Sequence, residues 1–304
     1  MQERKERQKK QFQNLTIRDD FMFAAVLADE EICRQVLSLA LGTPVSPVEV
    51  VPERTVRYHP EFRGVRLDIS ARCRNGTCFD VEMQRRRDDV PRRSRYYHSQ
   101  MDMGLLKNGT DYRKLPAGYV VFICCFDPVG DKRYRYLFTA RCRENGKAAN
   151  DGSYTVLLST EGKNREEVPE ALVKFLEFIK EDEPDHEKDY QDPLIGRMQR
   201  RIRQLKEDRE MEGSYMRLEE LLWEERRNGQ KAGVRKGIRK GRKAGRSEAL
   251  KDSIFLIWNR KGGLPSGTVR RIRKEKDPEV LLQWVYLSAQ TDSPEDFCSR
   301  IEEK

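Results

Sequence analysis

Histidine is scarce in this chain, with three among 304 residues, and nothing in its cysteine spacing compensates. The seven cysteines, at 33, 73, 78, 124, 125, 142 and 298, are odd in number and contain no C-x2-C pair. That excludes the usual zinc-ribbon patterns and reads as reduced thiols, with Cys124 and Cys125 filling a core. Long apolar runs are also missing: no window approaches 18 uninterrupted apolar residues, so no membrane span is expected. The opening MQERKERQKKQFQ is basic but has no apolar segment of the kind that directs secretion, and the expected location is cytoplasmic. What the chain has in quantity is charge. Charged and apolar residues each make up 37%, and 60 Lys and Arg against 51 Asp and Glu leave a formal charge of +9. This balance favours polyanionic partners.

The most informative stretch is Val65 to Gln84, VRLDISARCRNGTCFDVEMQ. Val65, Leu67, Ile69 and Ala71 alternate with polar residues, as do Phe79, Val81 and Met83, which predicts two half-buried strands. Arg74-Asn75-Gly76 between them is turn chemistry. A two-residue Asn75-Gly76 loop would set Asp68 opposite Met83. A three-residue loop, with Gly76 at positive φ as a G1 bulge, sets Asp68 opposite Glu82 and is the expected form. Two carboxylates so placed repel. A divalent cation such as Mg²⁺ would remove the penalty, because it takes one or two carboxylates with water and phosphate oxygens. A salt-bridged surface face involving Arg66, Arg72 and Arg85 is the other reading of the same spacing.

Five segments carry a family likeness: LTIRDDFMFAAVLADEE (15–31), VRLDI (65–69), DVEMQ (80–84), RRSRYYHSQMD (92–102) and GYVVFICCFDPVGDKRYRY (118–136). On these the chain resembles the PD-(D/E)XK nuclease superfamily, and more closely its Rpn branch of recombination-promoting nucleases, over most of residues 15–180. The resemblance implies an α/β (α+β) fold, with a restriction-endonuclease-like αβββαβ core, a mixed sheet and a helical C-terminal region. It implies a metal-dependent deoxyribonuclease using Mg²⁺ (or Mn²⁺), with DNA as partner and low sequence specificity. Asp68, Glu82 and the Met83 carbonyl would hold the metal. Gln84 stands where Lys is usual and would orient a water, with Gln100 assisting. Asp20 and Phe23 match the family's early acidic motif, where Ala24 replaces Lys. Asp20 is thus an accessory acid, or simply a favourable charge in a helix's first turn. Arg85, Arg86, Arg87, Arg92, Arg93 and Arg95 follow the catalytic strand and either track a DNA backbone or form a solvated loop. The alternative to an enzyme is a nuclease-like fold retained as a DNA-binding or assembly module.

Taken in order, residues 1–14 read as a frayed basic N-terminus. Residues 15–183 read as the nuclease-like domain, opening with a helix capped by Thr16 and a second helix ended by Gly42. Pro44 to Arg57 reads as a strand interrupted near Pro52, 92–107 as a helix, and 118–126 as a strand buried on both faces. YRYLFTARC and YTVLLS form a second hairpin-like pair, and 166–180 an amphipathic helix. An acidic break, EDEPDHEKDYQDP, contains His186, which has no assigned role, and leads into a helical arm over 184–228 whose helical pattern runs from Leu194 to Arg227. That arm either packs on the core or makes a homodimer contact. Between Gly229 and Ser247 a glycine recurs every four residues among eight Lys or Arg and no acid. The expected form is a flexible basic tether, the alternative a glycine-ribbed helix that docks closely. Residues 248–304 read as a three-helix module with Trp258 and Trp284 in its core.

Overall fold

The computed structural model describes residues 2–56, 65–106, 109–184 and 188–302, so His186 lies outside the described residues. The chain divides into two compact units, Met1–Leu218 and Glu219–Lys304. The expectation of a frayed start does not hold. Helix α1 spans Gln2–Gln13, and Phe12 near its end is fully buried, with its ring 6.3 Å from Phe21 and 5.6 Å from Tyr215. Burial of that one large ring ties a charged helix to the core. Asp19 rather than Thr16 stands at the N-cap position of helix α2 (Asp20–Leu27), and its carboxylate accepts from the Thr16 amide at 2.8 Å instead of from the helix. Helix α3 (Glu30–Leu41) begins at Asp29, whose carboxylate accepts from the Glu31 and Ile32 amides, and ends at Gly42 with φ 74°.

Six strands follow: β1 (Val48–Val56), β2 (Val65–Cys73), β3 (Cys78–Gln84), then after helix α4 (Val90–Leu105) β4 (Gly118–Cys124), β5 (Arg135–Phe138) and β6 (Ser153–Ser159). They form one mixed sheet in the order β1-β2-β3-β4-β6-β5. The β1–β2–β3 and β5–β6 pairings are antiparallel, and those of β4 with β3 and with β6 are parallel. Pro52 does not interrupt β1, where it faces Ile69; β1 is an edge strand, which tolerates a missing donor. Helices α5 (Glu170–Glu181) and α6 (Pro193–Glu207) complete this α/β arrangement.

The two sheet faces carry different cores. Ile69, Ala71, Phe79, Val81, Met83, Val121 and Ile123 face α2, α3, α5 and α6. Cys78, Val120, Phe122 and Cys124 face α4 through Val90, Tyr97 and Met101. Two corrections concern the region after the sheet. The arm expected over 184–228 is broken at Asp208, whose ψ of 115° is extended. Its first half, α6, buries Ile195, Met198, Ile202 and Leu205 in the main core, so it belongs to the first unit.

Helix α7 (Arg209–Arg260) follows. The glycine repeat lies inside it and is helical, and a Cβ at Gly229, Gly233, Gly237, Gly241 or Gly245 would meet nothing within 4 Å. Among the described residues the repeat is thus a helix rather than an extended segment, with open space at its five glycines. Helical turns on both sides propagate through it, each added residue gaining a hydrogen bond. In the second unit the end of α7 packs with α8 (Ser266–Lys274), α9 (Pro278–Gln290) and α10 (Pro294–Glu302), four helices rather than three. Trp258 and Trp284 are in its core, and Trp258 Nε1 donates to Ser288 Oγ at 3.0 Å. Among the described residues no helix is long and apolar enough to cross a membrane.

Candidate active site

The site starts from the β2–β3 turn. The Cys73 amide donates to the Thr77 carbonyl and the Gly76 amide to the Cys73 carbonyl, both at 2.9 Å, and Gly76 has φ 92°. This is the three-residue loop, with Gly76 in the left-handed region that only glycine adopts without cost. It sets Ile69 opposite Val81 and Ser70 opposite Asp80, a register in which Asp68 falls across from Glu82. Each carboxylate accepts from a backbone amide of the opposite strand. The Asp68 amide donates to Glu82 Oε1 at 3.2 Å, and the Met83 amide donates to Asp68 Oδ2 at 3.3 Å. The Gln84 carbonyl is used by β4, accepting from the Cys125 amide at 3.0 Å. Strand alternation therefore turns the Met83 carbonyl toward β2, the side on which Asp68 stands.

Strand β3 differs from the half-buried strand that its alternation predicts: every residue from Cys78 to Gln84 is buried. Its polar face lies under α4 rather than in water. Asp80, Glu82 and Gln84 share that face with Asp68. Glu82 is only 3% exposed, and burial followed by the Asp68 charge raises its pKa to about 8, although Arg93 and the Asp68 amide pull it down. Asp80 is fully buried and neither carboxylate oxygen has a hydrogen-bond partner. Burial first, then the charges of Glu82 and Asp68, drive its pKa well above the usual carboxylate range.

Helix α4 supplies the opposing charge. Asp89 caps it, accepting from the Arg92 amide, and Pro91 sits in its first turn, where a missing amide costs nothing. Arg93 and Tyr97, four residues apart, therefore share one helix face. Arg93 Nη2 donates to Glu82 Oε2 at 2.9 Å and to Tyr97 Oη at 2.7 Å, while Nη1 donates to Gln84 Oε1. The guanidinium carbon lies 5.3 Å from the Tyr97 ring centre and 5.5 Å from that of Phe122. Gln84 Nε2 in turn donates to the Arg86 carbonyl at 2.6 Å. Burial, then the Glu82 charge, pushes the Tyr97 hydroxyl up to about 12, so it stays a neutral donor.

Of the residues expected to form the site, Asp68, Glu82, Met83 and Gln84 are brought together. Gln100 is buried on α4, but seven residues beyond Arg93, about 10 Å along the axis at 1.5 Å per residue. Asp20 is exposed on α2; its neighbour Asp19 is the acid that reaches the sheet, accepting from Arg85 Nη1 at 2.8 Å. Arg85, Arg86, Arg87, Arg92 and Arg95 are exposed, Arg92 paired with Asp89 at 2.7 Å and Arg87 lying 5.7 Å from the Phe126 ring centre. Arg93 leaves that group and enters the site. Asp80 and Tyr97 were not singled out in the sequence, though the matching parity of 80, 82 and 84 on one strand was a signal for the first. Nothing local marks Asp19, 66 residues from its partner.

Among the described residues no three acidic, histidine or cysteine side chains converge as a preformed metal cage. The donor set nonetheless fits a hard cation: two carboxylates and a carbonyl at one strand crossing, beside an Asp80 carboxylate whose oxygens have no donor. A family model described as PD-(D/E)XK nuclease family transposase matches residues 17–232. Comparison with curated proteins and with solved structures finds no match.

Proposed function

The chain belongs to the PD-(D/E)XK nuclease family transposases, and from that premise we propose that it is a metal-dependent DNA endonuclease of low sequence specificity, serving recombination or a mobile element. The observation that carries this reading is the cross-strand pairing of Asp68 and Glu82, each carboxylate held by an amide of the opposite strand. Asp68, Glu82 and the Met83 carbonyl would hold Mg²⁺ or Mn²⁺, which when bound lowers the pKa of a water and neutralises phosphate charge. Hydrolysis forms a phosphorus–oxygen bond to water as the ester phosphorus–oxygen bond breaks; the water gives up a proton and the leaving oxygen takes one. Gln84, held at both ends by Arg93 and the Arg86 carbonyl, orients a water or a phosphate oxygen. The exposed arginines beside the site contact backbone phosphates, which position DNA without reading bases.

The test is cleavage of supercoiled plasmid by wild type and Glu82→Ala with Mg²⁺, Mn²⁺ or EDTA. Nicking that needs metal and vanishes in the variant is the expected result. A second reading, a DNA-binding or assembly module without hydrolysis, draws on the Arg93–Glu82 pair, which already engages one of the two acids. Plasmid binding by both proteins with cutting by neither would establish it.

A further inference from the structure

Within the candidate site three carboxylates, Asp68, Asp80 and Glu82, share a buried sheet face, and Gln84 adds no charge. Among the described residues, Arg93 is the cation hydrogen-bonded to that face. It is held by Glu82 Oε2 and Tyr97 Oη through Nη2, by Gln84 Oε1 through Nη1, by Asp88 Oδ2 at 3.5 Å, and by the rings of Tyr97 and Phe122. Its side chain is 28% exposed, so the guanidinium is fixed in the site yet open at one edge. The other five arginines of the cluster are exposed, and Arg85 and Arg92 are engaged by Asp19 and Asp89.

We infer that Arg93 is a catalytic residue of this site: its guanidinium binds the non-bridging oxygens of the scissile phosphate, supplying from α4 the positive charge that Gln84 does not supply from β3. The inference rests on the nuclease reading and deepens it. A planar fork of N–H donors matches two phosphate oxygens in a way that a point charge does not. In the protein without DNA the fork is satisfied by Glu82 and Gln84. Were Glu82 to hold a divalent cation, its carboxylate would be less available to Arg93, and Nη2 would be left to donate to a phosphate oxygen. No bond to Arg93 forms or breaks; it stabilises the charge that develops on the phosphate oxygens.

Arg93→Gln, Arg93→Lys and the double variant Arg93→Gln/Gln84→Lys test this through plasmid cleavage at saturating Mn²⁺ and through Mn²⁺ affinity measured by electron paramagnetic resonance without DNA. Arg93→Gln is expected to lower kcat by about 10²–10³, the loss typical of removing one preorganised donor, with a smaller change in KM. Lysine at 84 should restore at least tenfold of it, and Arg93→Lys should stand between. Mn²⁺ should bind Arg93→Gln more tightly, since a competitor for Glu82 is gone. Thermal unfolding checks that each variant is folded; should Arg93→Gln not fold, the double variant and Arg93→Lys carry the comparison. Wild-type cleavage by Arg93→Gln, a loss that Gln84→Lys leaves unrepaired, or unchanged Mn²⁺ affinity overturns the inference while the nuclease reading stands. A wild type that cuts with no metal tried removes the nuclease reading and the inference together.

Discussion

Asp80 offers the sharpest test of how the sheet is built around its acids. Its carboxylate is fully buried, has no hydrogen-bond donor, and faces the charges of Glu82 and Asp68. Asp80→Asn keeps the shape and removes the charge. Leaving a buried polar group unsatisfied costs about 1–3 kcal/mol by mutational data, and relief of a like-charge burial is of that order. At roughly 2–4 °C per kcal/mol for a unit of this size, the variant's Tm should rise by about 2–12 °C at pH 9 in EDTA. The pH dependence has a definite sign. Because the folded-state pKa of Asp80 is raised, the folded protein keeps a proton that the unfolded chain has lost. Stability therefore falls as pH rises from the ordinary carboxylate range to the raised value. Asn removes that slope, so the two proteins should nearly coincide at pH 4 and diverge upward. Glu82, raised to about 8, leaves a residual slope of the same sign in both. Calorimetry across pH 4–9 reads all of this. A variant that is less stable at pH 9, or whose advantage does not grow with pH, would refute the account of a crowded, uncompensated carboxylate.

Four further outcomes follow from other parts of the molecule. Deleting Thr77 while the Arg74-Asn75-Gly76 turn is kept sets Cys73 opposite Cys78 and Asp68 opposite Met83, a shift of β2 by one residue against β3. Asp68 then leaves Glu82's face, so cleavage should vanish with the metal dependence of any residual binding, as plasmid assays would show. Phe12→Ala should destabilise the first unit by about 3–5 kcal/mol in urea unfolding, whereas a frayed terminus would show no change. Alanine at Gly233, Gly237 and Gly241, where a Cβ meets nothing, should stabilise that part of α7 by about 1 kcal/mol each and raise the circular dichroism helix signal; a fall would reveal a docked face. Replacing exposed Arg86, Arg92 and Arg95 by Gln should flatten the log affinity against log salt slope for duplex DNA by about 3, and an unchanged slope would remove them from the phosphate path.

The sequence by itself determined the parts whose causes are local. Asn75-Gly76 after Arg74 sets a three-residue turn, and with it the register that puts Asp68 across from Glu82, because both depend on backbone bonds within a few residues. Gly42 ends α3 for the same kind of reason, and the apolar run 118–124 became β4, buried on both faces. Family likeness added the identity of the acids. Local signals misled where the deciding contact is distant. The alternation of β3 reads as a water-facing strand, but its polar face is roofed by α4. The charge of residues 1–14 reads as fraying, but Phe12 finds Tyr215, and Gln13 Nε2 reaches the Lys206 carbonyl at 3.0 Å across 193 residues. Arg93 reads as one of six equivalent arginines. Only tertiary structure separated it from the others, because helical spacing places Arg93 and Tyr97 on one face but does not say which face meets the sheet. That choice is made by burial of Val90, Tyr97 and Met101 against Val120 and Phe122, and it turns Arg93 onto Glu82.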